Sequence, residues 1–208
     1  MKRFDKPQKE TWTTLCQRPV SARVSEIFEN VKSNGDQALL KYAAKFDGSE
    51  LQSLRVSEAE IKAAKELVSP ELKKAILLAK ANIERFHESQ KEAVNRIETT
   101  SGVECWRESR AIEKVGLYIP GGTAPLFSTV LMLGIPAKIA GCREVILCTP
   151  PAKDGSIHPA ILYTADLVGI SKIFKIGGAQ AIAAMAFGTE SISQVSKVFG
   201  PGNQYVTK

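Results

Sequence analysis

Apolar side chains in the first half of the chain recur at helical spacing. Val24, Ile27, Phe28 and Val31 fall at i, i+3, i+4 and i+7 and mark one face of a helix. Gly35 interrupts that pattern, and Ala38 to Phe46 resumes it until Asp47-Gly48 ends it. Ser57-Glu-Ala-Glu60 has capping-box spacing and predicts a helix through about Val68. Ser69-Pro70 predicts the start of the next, with serine as cap and proline in the first helical position. That helix carries Leu72, Ile76, Ala79, Ile83 and Phe86 as a stripe, the mark of core or of a helix–helix seam. Between Gly102 and Ile112 a loose alternation predicts a peripheral strand.

Beyond residue 110 the period changes. Strands are predicted at Val115–Ile119, Glu144–Cys148, Lys172–Ile176 and Lys197–Phe199. Helices are predicted at Leu126–Ala140, Pro159–Val168 and Ala179–Phe187. Strands alternating with helices imply right-handed crossovers and a mainly parallel sheet. The fold class is therefore α/β, an incomplete Rossmann-like sheet preceded by an N-terminal helical segment. The division falls into residues 1–110, helical with a peripheral strand, and 111–208, a Rossmann-like α/β region. The helices of the second region are apolar on nearly every side, so the sequence predicts a layer beyond the sheet that covers them.

Three glycine-bearing turns follow three of the strands: Tyr118-Ile-Pro-Gly-Gly-Thr-Ala-Pro125, Lys175-Ile-Gly-Gly-Ala-Gln-Ala181 and Val198-Phe-Gly-Pro-Gly-Asn203. In a parallel sheet such turns lie at the carboxyl ends of the strands, where ligands bind. Glycine there lets backbone approach a ligand, and a following helix start favours an anionic group. Tyr118 is placed at the cleft mouth, where a ring can stack and a hydroxyl can bond. Gln180 is the one polar side chain at the start of an apolar helix, so its amide must find a partner in the protein or in a ligand. Asn203 suits either a helix cap or a ribose hydroxyl. None of the turns is a G-x-G-x-x-G fingerprint or a Walker loop, and Thr149-Pro-Pro151 stands where an acid usually holds ribose. On the residues alone this is a ligand cleft in an α/β sheet, with the ligand unnamed.

Composition narrows the classes. The net charge of +6 is interleaved with acidic residues and forms no aromatic-spaced basic stripe, which argues against a nucleic-acid partner. Met1 to Glu10 has no apolar core of a secretion signal, and no apolar run approaches a bilayer's thickness, so the expected setting is cytoplasmic, without a membrane partner. Cys16, Cys105, Cys142 and Cys148 form no C-x-x-C pair and read as free buried thiols. With His87 and His158 as the only histidines, no zinc site emerges from spacing. Glu190 borders the cleft or is a loop charge, and no Ser-His-Asp or Cys-His arrangement is present.

The ordered set Val115 to Val130, Ile176 to Ala184, Phe187-Gly-Thr-Glu190 and Phe199 to Thr207 resembles histidinol dehydrogenase, and the resemblance runs along essentially the whole chain. It implies NAD-dependent oxidation of L-histidinol to L-histidine through an aldehyde, a bound zinc ion and an intertwined homodimer when full length. It places the family's NAD-contacting tyrosine, glutamine and asparagine on Tyr118, Gln180 and Asn203. It places the zinc ligands and the catalytic bases in a second half of the polypeptide. The expectation is an N-terminal fragment with no catalytic or metal-binding residues of its own and no turnover. The alternative is a truncated, non-catalytic module that binds a nucleotide or a partner protein.

Overall fold

Capping chemistry starts two of the helices. Glu60 N–H donates to Ser57 Oγ at 3.2 Å while Ser57 N–H donates to Glu60 Oε2 at 2.8 Å, and α2 follows at Glu58–Leu67. Leu72 N–H donates to Ser69 Oγ at 3.2 Å, and α3 runs Pro70–Glu88. Before them lies α1, Val20–Tyr42, continued by a five-residue π-helical turn, Ala43–Asp47. These elements come from a computed structural model that describes residues 20–122 and 124–207. The readings of Met1–Glu10, Cys16, Thr123 and Lys208 lie outside the described residues.

The α/β alternation then unfolds as predicted to within a residue or two. Strand β3 is Lys114–Tyr118, α4 Phe127–Ala140, β4 Glu144–Thr149, α5 Pro159–Leu167, β5 Lys172–Lys175, α6 Gly178–Phe187 and β6 Lys197–Phe199. The four strands form one parallel sheet in the order β5-β4-β3-β6. Side chains alternate across it: Ile146 and Cys148 enter the core on one face and Leu147 the core on the other. The order reverses between β3 and β6, which makes that gap the topological switch point.

The layer that the apolar helices call for comes from the N-terminal helices of the same chain. Helix α1 packs on α6, α2 on α5 and α3 on α4. Val24, Ile27, Val31 and Leu39 of α1 share a core with Met185 of α6, and Ile61 and Ile76 share the other with Leu131 and Ile161. Tight packing also dictates a glycine in β3, since a Cβ on Gly116 would lie 2.5 Å from Met185 Sδ.

The strand read at 102–112 is instead the second arm of an exposed antiparallel hairpin, β1 Arg96–Thr100 with β2 Val103–Trp106. Its first arm holds a single large apolar residue, Ile97, so periodicity gave no sign of it. Among the described residues Cys105, Cys142 and Cys148 are free, and of these only Cys148 is buried; Cys105 sits exposed on the hairpin and Cys142 is half-buried. No described helix is long and apolar enough to cross a membrane.

Glu190 does not border the cleft. It locks the kink in α1: Asp36 N–H donates to Glu190 Oε2 at 2.8 Å, and Ser191 Oγ donates to Asp36 in return. The kink residue Gly35 has φ +49° and ψ −132°, and a Cβ there would lie 2.2 Å from Glu190 Oε2. Gly35→Ala is therefore expected to cost about 2 kcal/mol or more, through strain and displacement of the carboxylate. Gly169→Ala, at φ +85° with open space around it, is expected to cost only about 1 kcal/mol. Urea unfolding of the two variants checks the difference.

Candidate nucleotide-binding cavity

A cavity of about 320 Å³ opens at the switch point, lined by Arg23, Ile27, Phe46, Asp47, Tyr118, Gly178, Ala179, Gln180, Asn203, Tyr205 and Val206. Its volume lies at the low end of the roughly 300–1,000 Å³ of small-molecule sites. Tyr118, Gln180 and Asn203 all line it, each delivered by a different strand end: β3, the turn after β5, and the turn after β6.

Tyr118 lies deeper than expected. It is 4% exposed, so its ring belongs to the core and its hydroxyl forms the floor of the cavity. Gly178 N–H donates to that hydroxyl at 2.9 Å, which leaves the phenolic proton to donate elsewhere. Burial raises the tyrosine pKa above its ordinary value, so the group stays a neutral donor.

Gln180 is 2% exposed and lines the cavity, and its amide makes no hydrogen bond with another described residue. An amide on a cavity wall can donate to or accept from what enters the cavity. Around it, α6 starts without a side-chain cap. Gly178 N–H is taken by Tyr118, and the N–H groups of Ala179 and Gln180 have no acceptor among the described residues. This is the amide arrangement that favours an anion at a helix start.

Asn203 caps a turn and also lines the cavity. Its Oδ1 accepts Tyr205 N–H at 3.0 Å, and its side-chain NH₂ has no acceptor among the described residues.

The glycines play a different part from the one expected. A Cβ on Gly121 would lie 2.6 Å from Pro150, one on Gly177 2.5 Å from Pro150, and one on Gly200 2.3 Å from the Tyr118 carbonyl. Their missing side chains make room for the chain itself. Gly121 and Gly122 face a second cavity, of about 250 Å³, with Pro150 and His158. Only Gly178 of the turn glycines lines the cavity that holds Tyr118, Gln180 and Asn203.

Sequence reasoning missed Arg23, Phe46, Asp47 and Tyr205. Phe46 stacks on Tyr42 with centroids 5.4 Å apart and planes 2° apart, yet stays 49% exposed. Asp47 ends the π-helical turn, and its Oδ2 is buried with no hydrogen-bond partner among the described residues. Burial pushes its carboxyl up from the ordinary 3.8 to about 6. The sole signal in the sequence was Asp47-Gly48, which reads as a helix stop. Among the described residues, no group of three or more His, Cys, Asp and Glu is placed to hold a metal ion, so they do not fit a zinc site.

Comparison with known proteins follows the same outline. The family model for histidinol dehydrogenase matches residues 12–208. A histidinol dehydrogenase of Bacteroides thetaiotaomicron is 59% identical, the match covering 100% of this chain and 50% of that protein. One of Pasteurella multocida is 54% identical over 91% of this chain and 43% of its own length. The crystal structure of histidinol dehydrogenase from Elizabethkingia anophelis superposes with a TM-score of 0.89 at 58% identity, over 97% of this chain and 48% of that one. The chain spans about half the length of the curated relatives it matches.

The Asp47 carboxyl carries a pH signature. Its pKa is raised on folding, so the folded chain holds the proton more tightly than the unfolded chain. That contribution to stability is complete below the ordinary 3.8 and lost as pH rises through about 6. Asp47→Asn is expected to raise the melting temperature relative to the parent at about pH 7.5 and to lose that advantage at about pH 4. Melting curves of both proteins across this range test it, and a difference independent of pH contradicts it.

Proposed function

The chain belongs to the histidinol dehydrogenase family, and from that premise we propose that its cavity binds NAD as the cofactor half of an NAD- and zinc-dependent oxidation of L-histidinol to L-histidine. The observation that carries the reading is that Tyr118, Gln180 and Asn203, from three separate strand ends, line one cavity. The residues suit a dinucleotide. Unpaired N–H groups at the start of α6 meet a diphosphate, and Gln180 and Asn203 supply amides for hydroxyl or carboxamide groups. NAD, when bound, supplies the hydride acceptor. The chain's own contribution is to bind and orient it: Tyr118 keeps a neutral donor on the cavity floor, and the rigid start of α6 fixes the amides.

Zinc enters this reading as part of the whole enzyme, held by residues other than those described here. Residues 111–208 form the cofactor-binding region, and residues 1–110 supply its cover. The working enzyme is a cytoplasmic homodimer. The exposed Leu78 and Phe86 of α3 and Trp106 of the hairpin favour a second reading alongside it, in which this side of the chain docks on a partner protein.

Calorimetric titration of the purified chain with NAD tests the central reading. Gln180→Ala and Asn203→Ala are each expected to weaken binding about tenfold, the scale of one lost ligand hydrogen bond. Unchanged affinity in both variants would sink the assignment. The chain alone is expected to form no NADH from L-histidinol with zinc present; a zinc-dependent rate would contradict the division of labour.

A further inference from the structure

Resting on the reading of the cavity as a dinucleotide site, we propose that Asp47 is its specificity-determining residue, accepting the hydroxyls of the cofactor's adenosine ribose and excluding a dinucleotide with a 2′-phosphate there.

The proposal starts from a gap in the sheet. Open parallel sheets that bind NAD usually hold the ribose diol on an acid at the end of the neighbouring strand. Strand β4 ends here in Thr149-Pro150-Pro151, which offers no carboxylate, and Pro150 is packed against Gly121 and Gly177. The acid arrives from outside the sheet. Among the described residues Asp47 is the one carboxylate lining the cavity that holds Tyr118, Gln180 and Asn203.

Its chemistry matches a diol. A carboxylate only accepts hydrogen bonds, and Asp47 Oδ2 is buried with none to accept. No described Lys, Arg or His lies within ion-pair distance of it, although Arg23 lines the same cavity. Adjacent ribose hydroxyls are donors, and a carboxylate at the cavity wall is an acceptor for them. A 2′-phosphate in that position supplies no donor and sets two negative charges against each other.

Its placement matches adenosine. Asp47 follows Phe46, whose ring stacks on Tyr42, has Lys45 Nζ 5.5 Å from its centroid and stays half exposed at the cavity. A purine stacked on Phe46 brings its ribose next to the following residue. The π-helical turn holds both in place, closed by Gly48 N–H and Ser49 N–H donating to the Ala43 carbonyl. Such turns recur at functional sites because they widen one helical turn and re-aim its side chains. Arg23 and the open amides of α6 remain for the diphosphate.

Calorimetric titration of the parent chain, Asp47→Asn and Gln180→Ala with NAD and with NADP tests the assignment. The parent is expected to prefer NAD by about tenfold or more, the scale of a charge-assisted hydrogen bond. Asp47→Asn is isosteric and removes an unpaired buried charge, and circular dichroism is expected to show it folded. It should lose about tenfold in NAD affinity while NADP holds or gains, closing the gap. Gln180→Ala should weaken both dinucleotides alike. Equal losses of NAD and NADP in Asp47→Asn, or NAD affinity within about twofold of the parent, overturn the proposal and leave the cavity reading standing. A preference for NADP in the parent, with Arg23 taking the phosphate, overturns it too. A parent chain that binds neither dinucleotide ends the cavity reading itself, and this inference with it.

Discussion

The hydrogen bond from Gly178 N–H to the Tyr118 hydroxyl ties together the parts that make the cavity. It joins the end of β3 to the start of α6 across a buried space, and it consumes the first orphan donor of that helix. Tyr118 is fixed from behind as well, since Gly200 is packed against its carbonyl and brings the turn after β6 alongside. One side chain thus sets the distance between the two edges of the switch point. The cavity exists because β3 and β6 are neighbours that the chain reaches in opposite directions, and their turns diverge above the sheet.

Covering the sheet is the second constraint, and it decides which residues reach the site. Both faces are apolar, so both need helices. The chain meets that need with α1 on one face and α2 and α3 on the other. Helix α1 must bend to lie along α6, and the Gly35 kink, clasped by Glu190 and Ser191, supplies the bend. The far end of the same helix then arrives at the switch point carrying Phe46 and Asp47. Packing and the cavity meet in one element: the helix that seals the core also brings the cavity its one acid among the described residues.

This explains what the sequence could and could not reveal. Local chemistry was legible. Ser57 with Glu60 and Ser69 with Pro70 act over three or four residues, and the strand–helix alternation after residue 110 has a clear period. Tyr118, Gln180 and Asn203 were visible because each breaks the pattern of an apolar or glycine-rich stretch. Asp47 was not, because nothing near it in sequence distinguishes a helix-ending aspartate from one aimed into a cavity; only the packing of α1 on α6 does. The turn glycines misled for a related reason. A missing side chain marks a close approach, but the partner is a tertiary fact, and at Gly121 and Gly177 it is Pro150.

The same physics accounts for an unfavourable group being kept. A half-buried carboxylate with an unpartnered oxygen weakens the folded chain near neutral pH, and an asparagine of the same shape would relieve it. Gln180 lines the same cavity, and its amide has no hydrogen bond to another described residue. Two polar side chains on one cavity wall, beside a core otherwise built of Ile, Leu, Val and Ala, share one explanation under the proposed reading. Polar groups set in place before binding let a ligand bind without rearranging the site.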